Sequence, residues 1–193
     1  MLQQTQVERV RDYYGRFLRQ YPTVNELAAA RPAEVRDSWE GLGYYARARN
    51  LHAAARTVVR QHGGRFPRKV EDLRDLPGVG RYTAGAVASF AYGERAPILD
   101  TNVRRLLTRV FVRRRSRTEA GFDRRLWALA EAVIPEGEVW AMNQALMDFG
   151  ATVCTARKPL CADCSLRSLC AFFERRESRA MTAPVVTTGE EKS

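Results

Sequence analysis

Leu76-Pro77-Gly78-Val79-Gly80-Arg81-Tyr82-Thr83-Ala84-Gly85, residues 76–85, is the stretch whose reading decides the fold. Pro77 ends one helix. The two glycines allow φ values that side chains resist, and another helix begins at once. Backbone N–H groups at such a helix start form an anion site. The pattern reads as a helix-hairpin-helix, a non-specific clamp on a DNA backbone, with an ordinary tight αα turn as the plain alternative.

Outward from this hairpin every signal is helical. Val7, Val10, Tyr14, Phe17 and Leu18 recur at three- and four-residue steps until Pro22. Thr23 is placed to cap a helix over Val24–Ala30, and Pro32 suits the first turn of one running through Trp39. Tyr44–Gln61 reads as a long helix that stops at Gly63-Gly64. Lys69–Asp75 is a short helix, and Arg81–Tyr92 is a helix of small residues able to pack closely on a neighbour. Asp100 stands where an N-cap belongs, ahead of Asn102–Val112. Arg113-Arg114-Arg115 is a basic loop, and Glu119–Val133 and Val139–Ala151 are two more helices. No sustained period-two alternation marks a strand. From about Arg175 the chain loses periodicity and reads as a disordered tail. The expectation is an all-α chain of about eight or nine helices.

The 193 residues suffice for one compact domain or two small interlocked ones, and 45% hydrophobic content excludes wholesale disorder. The formal charge is +10, and of the 32 basic residues only Lys69, Lys158 and Lys192 are lysine. Such a surplus favours a polyanionic partner, and arginine adds forked contacts to phosphates and base edges. A GC-rich genome explains Arg for Lys, but not the excess over acids. No run approaches the roughly 18 apolar residues of a membrane span. The N-terminus lacks the pattern of a secretory signal. All four cysteines fall between Cys154 and Cys170, a clustering that points to metal in a reducing, cytoplasmic setting rather than to disulfides.

Three further segments carry chemistry. Cys154-x6-Cys161-x2-Cys164-x5-Cys170 offers four thiolates to one centre, either zinc or an iron–sulfur cube. Only one pair is short, and the unequal spacing wraps a [4Fe–4S] cluster better. Pro97-Ile98-Leu99-Asp100-Thr101-Asn102-Val103-Arg104-Arg105 places a carboxylate at a helix start. By residue type alone Asp100 is a plain N-cap. Its place after a DNA-binding hairpin adds a second reading. A carboxylate kept ionised beside DNA suits a developing positive charge such as an oxocarbenium sugar. Met1-Leu2-Gln3-Gln4-Thr5-Gln6 and Gly41-Leu42-Gly43-Tyr44-Tyr45 suit wedges entering a base stack, although a tyrosine pair is also ordinary core.

Taken in order, MLQQTQV, GLGYYARARNL, LPGVGRYTAGA, PILDTNVRR, NQALMDFGATVC and the cysteine loop resemble the adenine DNA glycosylases of the MutY type. These belong to the helix-hairpin-helix superfamily that includes endonuclease III. The resemblance covers roughly residues 1–173. It implies two helical lobes with DNA between them, over residues 1–94 and 95–174, followed by a tail at 175–193. It implies double-stranded DNA containing a mispair as partner, a monomer, no membrane, and a bacterial cytoplasm with nucleoid association. The implied reaction is removal of adenine opposite 8-oxoguanine. Asp100 matches the carboxylate that stabilises the oxocarbenium, and Asn102 a residue that orients it. Tyr82 occupies the position of a lysine nucleophile in endonuclease III-like enzymes. Tyrosine forms no Schiff base, so hydrolysis without strand cleavage is implied. Gln4 and Tyr44 match wedges beside the lesion. Leu2, Val7 and Gln144 match positions near the adenine pocket, and Gly78 and Gly80 the hairpin glycines. Cys154, Cys161, Cys164 and Cys170 match the ligands of a [4Fe–4S] cluster.

The family's general-acid glutamate lies two residues ahead of the Met-Leu-Gln-Gln run, and this sequence starts at that Met. Its C-terminal domain for 8-oxoguanine recognition is likewise outside the sequence. The first expectation is that the gene begins upstream; the other is a short protein that binds DNA and cleaves little. Rival readings are a mismatch thymine glycosylase of the same superfamily, a non-catalytic DNA binder, and a redox sensor using the cluster. General acid catalysis contributes roughly 10²–10⁴-fold. The 193-residue chain expressed as written is therefore expected to bind DNA with severely reduced base excision. Single-turnover cleavage of an A:8-oxoguanine duplex at the rate of a full-length relative refutes this.

Overall fold

The computed structural model describes residues 1–2, 5–113 and 118–181, and among them every regular element is helical. The chain divides into two compact units, Met1–Ala96 and the remainder from Pro97. The first holds α1 (Val7–Gln20), α2 (Val24–Ala29), α3 (Pro32–Asp37), α4 (Tyr45–His62), α5 (Val70–Arg74) and α6 (Arg81–Tyr92). The second holds α7 (Thr101–Phe111), α8 (Glu119–Ala132), α9 (Val139–Thr152), a 3-10 turn (Arg167–Leu169) and α10 (Ala171–Met181). None of the described helices is long and apolar enough to cross a membrane.

Local chemistry sets the boundaries. Thr23 and Glu26 form a reciprocal capping box that starts α2: the Thr23 hydroxyl accepts from the Glu26 N–H at 3.2 Å, and the Glu26 carboxylate accepts from the Thr23 N–H at 2.9 Å. Pro32 opens α3 as expected, but the helix ends at Asp37. The chain then turns, with the Trp39 N–H donating to the Arg36 carbonyl, and Trp39 is delivered to the core. The Thr118 hydroxyl caps α8 by accepting from Gly121 N–H at 3.1 Å.

The first unit has two apolar clusters, and α4 belongs to both. Ala48 and Ala55 pack with Phe17, Tyr21, Leu27, Val35, Trp39 and Leu42. Ala54 and Val58 pack with Leu73, Leu76, Ala84, Ala88 and Ala96. Phe17 is the hub of the first cluster, edge-on to Tyr21 at 5.0 Å and to Trp39 at 5.7 Å between ring centroids. The small residues of α6 do what their size predicts: Ala84, Gly85, Ala88 and Ser89 are all buried. In the second unit α7 is central. It packs on α8, α9 and α10 and buries Val103, Leu106, Leu107 and Val110 on one face.

Two expectations are corrected. Tyr44 lies outside α4; it is the N-cap, with φ +50°, the one left-handed non-glycine among the described residues. Helix α10 runs to Met181, past the point where order was expected to end. A search for apolar periodicity passes over it, because it is tied down by polar contacts. Arg175 donates to the Val112 carbonyl at 3.1 Å, Arg113 pairs with Glu174, and Ser178 bonds back to the Glu174 carbonyl at 3.0 Å. The rest of the expected tail lies outside the described residues, as does most of the Arg113–Arg115 loop.

Ala84 has no exposed surface. Overfilling such a site costs about 1–3 kcal/mol. Ala84→Leu is therefore expected to lower the denaturation midpoint by that amount with the slope unchanged, measured in urea.

Candidate functional site

The hairpin glycines turn out to be unequal. Gly78 has φ +77°, and a Cβ there would lie 2.6 Å from the Asn50 Cβ, so both conformation and space require glycine. Gly80 does not share this strain. It is the N-cap of α6 at φ −82°, ψ 175°, ordinary extended backbone, with nothing within 4 Å of an added Cβ. Its lack of a side chain instead leaves the start of α6 open. The expectation that both glycines need unusual φ thus holds for Gly78 alone.

Beside the hairpin lies a groove of about 820 Å³ within the first unit. Leu2, Val7, Gly78 and Tyr82, four of the residues singled out in the sequence, line it together with Asn50 and Trp39. Gln4 lies outside the described residues. Arg47 ties the N-terminal strand to the turn before α4. It donates to the Met1 carbonyl at 2.8 Å and to the Thr5 hydroxyl at 3.0 Å, and its guanidinium carbon stands 5.5 Å from the Tyr44 ring centroid. Tyr44 itself is 65% exposed. A bulky side chain held in the left-handed region and turned to solvent is a strained position, the kind found at functional sites.

In the second unit Asp100 is both a cap and more than a cap. Its Oδ1 accepts from the Val103 N–H at 2.7 Å, and its Oδ2 accepts from the Asn102 amide nitrogen at 3.2 Å. The helix start and the two donors hold the half-buried carboxylate in one orientation. Asn102 is oriented in turn by Arg105, which donates to its Oδ1 at 2.9 Å. Arg105 also donates to the Gly150 carbonyl at 2.5 Å and to the Cys154 carbonyl at 2.8 Å. A continuous line of hydrogen bonds thus joins Asp100 to the first residue of the cysteine loop. Sequence reasoning missed both Arg105 and Gly150. Only the repeat of Arg104-Arg105 after Asn102 signalled the former, and nothing signalled the latter. Gln144 on α9 is half-buried and donates to Asp148 one turn on at 2.9 Å.

The four cysteines are unpaired, and all four line one cavity with the apolar walls Leu106, Val110, Phe149 and Phe172. Among the described residues no three His, Cys, Asp or Glu side chains are placed to hold a single metal ion. A ring of soft sulfur donors around an apolar hollow, without carboxylate or imidazole, is the donor set of an iron–sulfur cluster.

A helical chain with a glycine hairpin, a pinned carboxylate and a four-cysteine loop defines a class of DNA-repair proteins. The chain belongs to the HhH-GPD superfamily of base excision DNA repair proteins, whose model matches residues 1–132. Residues 154–170 match the iron-sulfur binding domain of endonuclease III, and the four cysteines fit a [4Fe–4S] cluster loop. The chain is 45% identical over 184 residues to an adenine DNA glycosylase of Mus musculus, covering 95% of this chain and 36% of that protein. It therefore spans about a third of that relative's length. A solved thermostable thymine-DNA glycosylase is 32% identical with a TM-score of 0.79, covering 90% of this chain and 80% of that one. A non-covalent endonuclease III–DNA complex is 28% identical with a TM-score of 0.73, covering 91% and 80%.

At Gly150 a Cβ would lie 2.8 Å from the Asn102 Cβ and 3.0 Å from its carbonyl atoms. The obstacle is largely backbone, so α7 or α9 must move. Gly150→Ala is expected to cost about 1–3 kcal/mol. In a unit of this size each kcal/mol lowers the thermal midpoint by about 4–8 °C. An unchanged midpoint in scanning calorimetry shows that the two helices have room to spare.

Proposed function

We propose that this chain is the helical core of a monofunctional DNA glycosylase that hydrolyses the bond between deoxyribose and an adenine mispaired with 8-oxoguanine or guanine. The observation that carries this reading is the Asp100 carboxylate, with both oxygens held by donors, in a chain of this repair family. Residues 1–94 and 95–174 act as the two lobes of the enzyme, and the partner is a mispaired duplex bound by a monomer in the bacterial cytoplasm.

Each residue then has a physical task. As the base departs, positive charge grows on the sugar ring. A carboxylate already oriented stabilises it without reorganising at the moment of reaction. Asn102 keeps Oδ2 in place and Arg105 keeps Asn102 in place. Tyr82 offers no amine, so the sugar is released to water and the strand stays intact. Leu2 and Val7 give the flipped base apolar walls, with Gln144 as a polar contact. Tyr44 and Gln4 fill the stack that the base vacates. The open helix start behind Gly78 and Gly80 holds backbone phosphate. When bound, the cluster cross-links four points of the loop through Cys154, Cys161, Cys164 and Cys170.

A second reading is excision of thymine from a T:G mispair, favoured by the structural likeness to a thymine-DNA glycosylase. Competition between A:8-oxoguanine and T:G duplexes separates the two. In the longest form of the protein that the gene encodes, Asp100→Asn is expected to abolish measurable base release while leaving duplex affinity within about threefold. Removing an electrostatic stabiliser of a transition state costs roughly 10²–10³ in rate. Retained turnover in this variant, with retained binding, sinks the enzymatic role of Asp100. Absence of excision from every duplex by the unaltered protein leaves a DNA-structure binder.

A further inference from the structure

Arg109 leaves α7 one turn beyond Arg105 and reaches into the cysteine loop. Its Nη1 donates to the Thr155 carbonyl at 2.7 Å, the Cys154 carbonyl at 3.3 Å and the Cys154 Sγ at 3.4 Å. Its Nη2 donates to the Ala156 carbonyl at 2.9 Å. The guanidinium carbon lies 4.8 Å from the Phe172 ring centroid. Three successive carbonyls and one sulfur thus share a single cation beside an aromatic face. Among the described residues no other cysteine sulfur accepts from a cation. Together with the bond from Arg105 to the Cys154 carbonyl, these contacts hold the first arm of the loop to a helix that is itself buried in the unit's core.

We propose that Arg109 is a positioning residue for the iron–sulfur cluster: it holds the Cys154 arm ready before iron arrives, and its N–H···S bond raises the cluster's reduction potential and slows its loss. The inference rests on the cysteines being the cluster ligands. Hydrogen bonds to ligand sulfurs and nearby charge are among the terms that set such potentials. A cation stabilises the electron-richer, reduced state more than the oxidised one, so its removal lowers the potential. The planar fork also matters, because it serves several acceptors in fixed directions. An ammonium at the same place keeps the charge and cannot reproduce that geometry.

The test uses the full chain without DNA, as the unaltered protein, Arg109→Met and Arg109→Lys. Iron and acid-labile sulfide are first measured on the unaltered protein; their absence overturns the cluster reading rather than this one. The midpoint potential is then read by titration against a chemical reductant, and cluster loss as the rate of iron capture by a ferrous chelator. Losing an outer-shell partner of a metal ligand costs about 10–100-fold in affinity. Arg109→Met is expected to lower the potential and speed iron release about 10-fold or more. Arg109→Lys is expected to keep a potential between the two and to release iron faster than the unaltered protein. A potential in Arg109→Met equal to the unaltered protein's, or equal rates of release, overturns the proposal. Where Arg109→Met does not fold, Arg109→Lys decides, and an unchanged rate of iron release overturns it.

Discussion

The guanidinium of Arg105 is the contact on which the second unit's functional parts depend. It donates at once to the side chain that orients Asp100, to the α9 backbone at Gly150 and to the loop backbone at Cys154. Without it two backbone carbonyls and an amide oxygen lose a charged donor, and each such loss inside a protein costs about 1–3 kcal/mol. The geometry is possible only because α7 and α9 approach closely where Gly150 meets Asn102. A larger residue on α9 would push Asn102 away from the cation and, with it, the donor to Asp100. The carboxylate, the helix pair and the cysteine loop are therefore one mechanical assembly.

Several parts of this arrangement were legible in the sequence. Thr23 with Glu26, Pro32 and the small residues of α6 act locally, through capping, a fixed φ and close packing, and their effects need no knowledge of the rest of the chain. Asp100 was legible twice, as a cap by its position and as a reacting group by its company. The four cysteines were legible as one site because all four lie in a single short loop.

The rest depends on tertiary contacts. Arg105 and Arg109 look like two more members of an arginine-rich surface until α9 and the loop are laid beside α7. Gly150 looks like a routine small residue in a helix. Gly80 looks like Gly78, and only the backbone separates a strained turn from an open helix start. Tyr44 continues the helical pattern of Tyr45–His62 and leaves it through a left-handed backbone. Helix α10 carries so little apolar periodicity that its order is visible only through Arg175 and the Arg113–Glu174 pair. The arginine surplus itself divides on inspection. Arg47, Arg105, Arg109 and Arg175 donate to backbone carbonyls of distant segments. Part of the basic bias is thus spent on internal stitching, and net charge alone overstates the face offered to a polyanion.

The double membership of α4 has a bearing on how the first unit comes apart. Ala48 and Ala55 lie in one apolar cluster while Ala54 and Val58 lie in the other. Fraying of this helix from either cluster exposes surface in both. The hairpin side therefore has no separate melting of its own, and amides on α2 and α6 should exchange with solvent through one shared opening rather than two.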